Sequence, residues 1–288
     1  MTADTLQRKI DHSIDLLRRA EPLALRMHPD GFHLAFSGGK DSQVLYHIAQ
    51  MAGVKFKAHM QVTTIDPPEL MAFVRNNYPD VELHRPPLNF YQLLEKKGAL
   101  PTRNHRWCCE KLKEHAGIGT LTLVGVRAAE SARRAKLSEV GRIHRNPEKR
   151  RISTDLFDMT QEQQHRCIGG RDKIVLSPIF HWTDTDVWQF IRSRGIAYCE
   201  LYDQGWTRVG CIMCPMARKA ERYRERALYP GFERAIVRSI ERILQSGRGL
   251  ATIRPYNPTA QEVFDWWLSG KSIPNYFGMI RNQTKIEF

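Results

Sequence analysis

Apolar residues in this chain follow two periods, and their alternation outlines the fold. Leu6, Ile10, Ile14 and Leu17 recur at helical spacing among charges, which predicts an amphipathic surface helix in residues 1–29. Short apolar runs then alternate with helical stretches. Leu34-Ala35-Phe36 is the first run, and a helical pattern (Val44, Leu45, Ile48, Ala49) follows it closely. Lys55 to Val62 alternates as a second strand, Glu69 to Asn77 reads as a helix, and Val81 to His84 is a short strand before Pro86-Pro87. Leu121 to Val126 and Lys173 to Ile179 are nearly continuous in apolar and β-branched residues, as buried parallel strands are. Strands separated by helices predict an α/β fold with a doubly wound, mostly parallel sheet and ligands at the carboxyl ends of its strands.

Beyond about residue 215 the strand signal stops. Ile236, Ile240 and Ile243 keep helical spacing within 216–246, and Glu262 to Leu268 reads as a further short helix. The expected organisation is an N-terminal helical segment (1–29), an α/β domain (30–215) and a smaller helical C-terminal subdomain (216–288). Ser138 to Gln164, polar and basic, reads as a mobile loop or insert. Thr183, three residues before Asp186, is the expected N-cap of a helix.

Composition narrows the class. The 288 residues contain no apolar tract long enough to span a bilayer, and the opening residues do not read as a signal peptide. A cytoplasmic, reducing setting is therefore expected, where the six cysteines serve metal or redox roles before disulfides. Net charge is +13, unevenly spread. Nine basic residues lie between Arg127 and Arg151 against three acids, and Arg218, Lys219, Arg222, Arg224 and Arg226 form a second cluster. A solvated basic face is one reading of such runs; a nucleic-acid partner, DNA foremost, is the other.

The strand at Leu34 ends in Ser37-Gly38-Gly39-Lys40-Asp41-Ser42, and a helix begins at once. Two glycines let the backbone approach a phosphate, the first helical N–H groups point at the anion, and Ser37, Ser42 and Lys40 add donors and charge. The spacing is not that of a Walker A loop. Gly125 to Arg133 (GVRAAESAR) follows another strand. Gly125 permits close approach of a nucleotide, Arg127 and Arg133 suit phosphate or sulfate oxygens, and Glu130 suits holding an arginine in place. Cysteines occur as Cys108-Cys109 and Cys211-Ile212-Met213-Cys214, a soft donor set for zinc or an iron–sulfur cluster. Adjacent cysteines reach one tetrahedral ion only with strain, so a wider [4Fe–4S] cluster is the expected occupant. Cys167 and Cys199 stand alone and read as core or incidental thiols.

Ser37 to Ser42 resembles the pyrophosphate-binding loop of the ATP pyrophosphatases. Together with Thr63-Thr64-Ile65-Asp66, CCEKLK, GVRAAESARR, Trp182-Thr183…Asp186-Val187-Trp188 and GCIMCP, residues 30–217 resemble the phosphoadenosine-phosphosulfate (PAPS) reductase family of the adenine nucleotide α-hydrolase-like superfamily. The resemblance implies that ATP or a related nucleotide binds Ser37, Gly38, Gly39, Lys40, Asp41, Ser42, Gly125 and Arg127. It places the adenine near Thr63, Thr64 and Asp66, and a [4Fe–4S] cluster on Cys108, Cys109, Cys211 and Cys214. Assimilatory reductases of the family attack with a cysteine beyond this point, whereas no cysteine follows Cys214 here. In that respect the chain is similar to DndC/SspD-type DNA phosphorothioation proteins. That similarity implies adenylation of a backbone phosphate, with Mg2+ near Asp41 and with Lys40, Asp41, Arg127 and Arg133 as the catalytic group. Sulfur would come from a cysteine desulfurase, alongside other phosphorothioation proteins. A sulfonucleotide reductase, a tRNA thiolation enzyme and a non-catalytic nucleic-acid-binding module are the competing expectations.

Overall fold

The computed structural model of the chain describes residues 3–142, 151–168 and 173–284. Seven strands form one sheet: β1 (Phe32–Ala35), β2 (Phe56–Gln61), β3 (Glu82–His84), β4 (Leu121–Leu123), β5 (Val140–Arg142), β6 (Arg151–Ile152) and β7 (Ile174–Leu176). Among the described residues the helices are, in chain order, α1 (Ala3–Met27), α2 (Lys40–Ala52), α3 (Pro68–Asn77), α4 (Phe90–Lys97) and α5 (Trp107–Cys109). They continue with α6 (Gln161–Ile168), α7 (Asp184–Ser193), α8 (Lys219–Leu228), α9 (Pro230–Gln245), α10 (Ala260–Ser269) and α11 (Ile273–Thr284). None of these helices is long and apolar enough to cross a membrane.

The strand order is β3-β2-β1-β4-β7-β5-β6. The first five run parallel, and β5 and β6 pair antiparallel at the far edge. The chain therefore builds outward from β1 through β2 to β3, then returns to place β4 on the other side of β1. That reversal makes the carboxyl ends of β1 and β4 a topological switch point, the place where open α/β sheets bind ligands. The loop of residues 37–42 leaves β1 there and Gly125 to Arg127 leave β4.

Two compact units result. The first comprises residues 1–61, 68–84 and 116–209 and holds the whole sheet. Its core alternates as the sequence pattern requires, with Phe32 and Leu34 of β1 and Ala58 and Met60 of β2 buried on one face. The amphipathic stripe of α1 is internal: Leu6, Ile10, Leu17 and Ala24 are buried. The second unit comprises 62–67, 85–115 and 210–288. It is discontinuous, and takes in two segments that lie upstream of the expected boundary at 215. Phe90 and Leu94 of α4 and Trp107 of α5 pack into one core with Ile236, Ile240 and Ile243 of α9 and Phe264 and Trp267 of α10. Trp107 stacks on Phe90 with ring centroids 5.7 Å apart.

The segment 138–164, expected as a mobile loop or insert, carries β5, β6 and the start of α6. Val140 is fully buried and pairs with Leu176. The two strands are too short, and too rich in arginine, to show alternation. Residues 143–150 of this segment lie outside the described residues.

The start of α7 forms as its sequence implies. Thr183 Oγ1 accepts the Asp186 N–H at 3.2 Å, and Asp186 Oδ2 accepts the Thr183 N–H at 2.7 Å. Lys9 Nζ of α1 pairs with the same carboxylate at 2.5 Å. Thr183→Ala is expected to lower stability by about 1 kcal/mol in urea unfolding, with Thr183→Ser close to wild type, as for other N-caps.

Candidate functional site

Both candidate constellations exist, one in each unit. In the first unit, Ser37 to Ser42 is wired by its own hydroxyls. Ser37 N–H donates to Ser42 Oγ at 3.2 Å, Ser42 Oγ donates to the Gly39 carbonyl at 2.8 Å, and Gln43 Nε2 donates to the Gly38 carbonyl at 2.8 Å. Tyr202 enters from outside the motif, its hydroxyl accepting the Lys40 N–H at 2.9 Å. No sequence pattern marked Tyr202, which sits 162 positions away.

The glycines differ in why they are glycines. Gly38 has φ +70°, and a Cβ there would lie 2.6 Å from Leu70 Cδ1. Gly125, expected to allow close approach of a nucleotide, also has a reason within the protein. A Cβ on it would lie 3.0 Å from the Asp41 backbone, so its small size lets the exit of β4 close on the first turn of α2. Gly39 has no such reason. Its φ of −76° and ψ of 156° suit any residue, and a Cβ would make only ordinary contacts, the nearest 3.5 Å away.

Charge at the loop is organised by Arg127, which is only 3% exposed. Its Nε donates to Asp41 Oδ1 at 2.7 Å, one terminal nitrogen to Asp184 Oδ1 at 3.1 Å, and the other to the Trp182 carbonyl at 3.3 Å. Lys40 Nζ lies 3.2 Å from Asp184 Oδ1 and 3.5 Å from Asp41 Oδ2. Two cations and two carboxylates thus close on one another, and Asp184 is a site residue that the sequence pattern showed only as helix-capping context. The two Asp41 oxygens face Arg127 and Lys40, an environment that does not suit Asp41 as a ligand for Mg2+. Glu130 accepts the Arg127 backbone N–H at 2.9 Å and pairs with Arg134. Arg133 lies exposed on the same segment.

The second unit gathers Cys108, Cys109, Cys211 and Cys214 around one pocket with Ile65, Phe90, Leu112 and Trp267. The Cys211–Cys214 turn is forced. Met213 is fully buried with φ +54°, a left-handed conformation that costs a non-glycine residue about 1 kcal/mol. It is held by Ile212 N–H on the Ile65 carbonyl at 2.8 Å and by Met213 N–H on Glu225. The adjacent thiols divide their roles. The hydrogen bond from Cys108 lowers the pKa of Cys109, helped by Lys113 and Arg106, while the same bond and burial push Cys108 up. The Lys113 ammonium is held in its charged form first by Cys211 and then by Asp66, against the cost of burial. Arg222 is buried, and burial pushes its guanidinium down to about 10, with Cys214 acting in the opposite direction. Its donors reach the Met213, Leu268 and Trp267 carbonyls at 3.3, 2.9 and 3.0 Å.

Thr63, Thr64 and Asp66 belong to this second unit and stand by the cysteines. Asp66 Oδ2 accepts the Thr63 N–H at 2.7 Å, Thr64 Oγ1 accepts the Phe90 N–H at 2.9 Å, and Cys211 Sγ lies 3.4 Å from Thr63 Oγ1. The basic cluster after Cys214 is partly internal, since Arg222 is buried and Arg226 pairs with Glu233 at 2.6 Å and Asp265 at 2.9 Å. Cys199 is a buried core thiol, and the Cys167 side chain lies outside the described residues.

Comparison with known proteins identifies relatives of the α/β part of the chain. Residues 31–217 match the model of the phosphoadenosine phosphosulfate reductase domain. An uncharacterized protein of Methanocaldococcus jannaschii is 33% identical over 206 residues, covering 68% of this chain and 44% of that protein. An adenosine 5'-phosphosulfate reductase of Oceanobacillus iheyensis is 26% identical over 149 residues, covering 51% and 54%. A probable FAD synthase of Schizosaccharomyces pombe is 26% identical over 186 residues, covering 64% and 60%. In each case the match spans less than two thirds of the relative's own length.

Replacing Arg127 tests the charge network. Arg127→Met leaves two carboxylates and Lys40 without their buried partner, and is expected to cost about 2–3 kcal/mol, below the fully buried range because Asp184 is 63% exposed. Arg127→Lys restores charge without the three-way fork and should recover less than half of that loss in chemical denaturation.

Proposed function

From the premise that this chain belongs to the phosphoadenosine phosphosulfate reductase domain family, we propose that it cleaves ATP between the α and β phosphates to activate an acceptor oxygen for sulfur insertion. Gly39 carries the proposal. Neither its dihedral angles nor its neighbours require a glycine, and a phosphate brought against the backbone supplies the missing reason. It sits at the N-terminus of the 13-residue helix α2, beside Lys40 and at the switch point of the sheet. Similarity to a probable FAD synthase supports a nucleotide substrate.

In this reading the pyrophosphate lies on Ser37 to Ser42, and Mg2+ enters as the counter-ion of the triphosphate. The anion draws Lys40 from Asp184, and Lys40 with Arg127 offsets charge as the acceptor oxygen attacks the α-phosphorus in line. Asp41 keeps Arg127 in place, and Arg133, exposed on the same segment, meets the acceptor. Pyrophosphate leaves with its electron pair, sulfide then attacks the activated phosphorus, and AMP departs. A DNA backbone phosphate is the proposed acceptor, on the strength of the +13 charge and of basic residues such as Arg133, Lys136 and Arg151, which are exposed.

Cys108, Cys109, Cys211 and Cys214 fit a [4Fe–4S] cluster by donor chemistry: four thiols line one mostly apolar pocket, with Lys113 and Arg222 providing positive charge for an anionic centre. Among the described residues the cysteines form no trio with sulfurs within 4.8 Å of one another, against the ~3.8 Å edges of a tetrahedral zinc–thiolate site. A bound cluster would supply a station for sulfur that a cysteine desulfurase delivers as a persulfide and that a thiol reductant, itself oxidised to a disulfide, releases as sulfide.

A sulfonucleotide reductase is the second reading, favoured by similarity to adenosine 5'-phosphosulfate reductases. Anaerobically purified protein is expected to release pyrophosphate from ATP, faster with DNA, and Lys40→Ala to reduce release at least ~100-fold. Release unaffected by Lys40→Ala would overturn the loop assignment. No release, with adenosine 5'-phosphosulfate reduced instead, would establish the second reading. Cys211→Ser and Cys214→Ser should each lower bound iron, and unchanged iron content would exclude this ligand set.

A further inference from the structure

The edge of the sheet carries a second, unrelated donor set. Register pairs His59 of β2 with Glu82 of β3, and Gln61 with His84. Because side chains alternate along a strand, Glu82 and His84 share the face on which His59 lies. Three donor atoms converge there. His59 Nδ1 is 2.8 Å from His84 Nε2 and 3.3 Å from Glu82 Oε2, and His84 Nε2 is 3.7 Å from the same oxygen. Among the described residues this is the one trio of histidine, cysteine or carboxylate donors gathered within 4.8 Å.

We propose that His59, Glu82 and His84 bind one divalent first-row transition-metal ion of the zinc class. An ion with bonds of ~2.0–2.1 Å in a tetrahedral site separates its ligands by ~3.3–3.4 Å, and the three separations bracket that value. Two imidazoles and one carboxylate select zinc, cobalt, nickel or ferrous iron over calcium and magnesium, which prefer oxygen. The surroundings orient the ligands. His33 stacks on His59 at 4.2 Å with the rings 7° from parallel, fixing the imidazole plane. Lys57 Nζ stands 3.6 Å from Glu82 Oε1, which leaves Oε2 for the ion, and Asp30 holds Lys57 at 3.2 Å. His59 is 14% exposed, whereas Glu82 and His84 are 48% and 43% exposed, so the fourth position opens to solvent and takes water or a small anion. The ion would tie the three-residue edge strand β3 to β2, its sole neighbour in the sheet.

Thiols also bind zinc, so the test reads a difference. The full chain and its Glu82→Gln/His84→Gln variant, both purified anaerobically, are dialysed against Zn2+ and assayed for metal. Both substitutions fall on exposed side chains, and far-UV circular dichroism checks that the variant is folded. The variant is expected to bind one equivalent less. With Co2+ in place of Zn2+, the difference spectrum should show d–d bands without thiolate charge transfer. The single variant Glu82→Gln, keeping both imidazoles, should bind at least ~10-fold more weakly. Equal uptake by wild type and the double variant, or a difference spectrum carrying thiolate charge transfer, would overturn the proposal.

Discussion

A buried guanidinium sets the terms for the first unit. Arg127 leaves the end of β4, Asp41 opens α2 after β1, and Asp184 opens α7 after β7, so one side chain ties together the loops that follow three neighbouring strands. A guanidinium removed from water is strongly unfavourable unless its donors are met, and here a carboxylate, a second carboxylate and a backbone carbonyl meet them. Gly125 belongs to the same constraint, because any larger residue would lift the β4 exit away from Asp41. The geometry of residues 37–42 thus rests on groups outside the motif as well as on its own hydroxyls.

The second unit solves a different problem, that of keeping four thiols side by side. It does so with strain and charge. The left-handed Met213 turns Cys211 and Cys214 toward the same pocket, and hydrogen bonds from Ile212 and Met213 to Ile65 and Glu225 hold the turn. Lys113 and Arg222 keep positive charge next to sulfur, which lowers the free energy of any thiolate formed there. Arg222 spans from this turn to the end of α10, so the helical core and the cysteine turn depend on one another.

Much of this was legible from sequence because it is local. Strand period, the glycine loop, the Thr183 cap and the cysteine pairs all lie within a few consecutive residues. What sequence could not show is what pairs at long range. Lys40 and Tyr202, or His59 and His84, meet only because of strand order and register. Charge runs misled for the same reason. Arg222 and Arg226 read as a solvated or nucleic-acid-facing cluster, yet carbonyls of α10 and the acids Glu233 and Asp265 claim them. Strands β5 and β6 escaped notice because two or three residues cannot display a period. That the backbone of α2 also lies against Gly125 was hidden from the sequence because that contact, too, is long-range.

The discontinuity of the second unit has a consequence for synthesis. Its earliest segment, 62–67, and the stretch carrying Phe90, Trp107 and the first two cysteines emerge from the ribosome long before Gly210. At ~5–20 residues per second, the helices that cover those side chains arrive roughly 10 s later. During that interval the sheet of the first unit gains its last four strands, while two aromatic residues and a thiol pair wait uncovered. The nascent chain is then at its most vulnerable to aggregation and oxidation, and chaperones and reducing conditions matter most for this protein in that window.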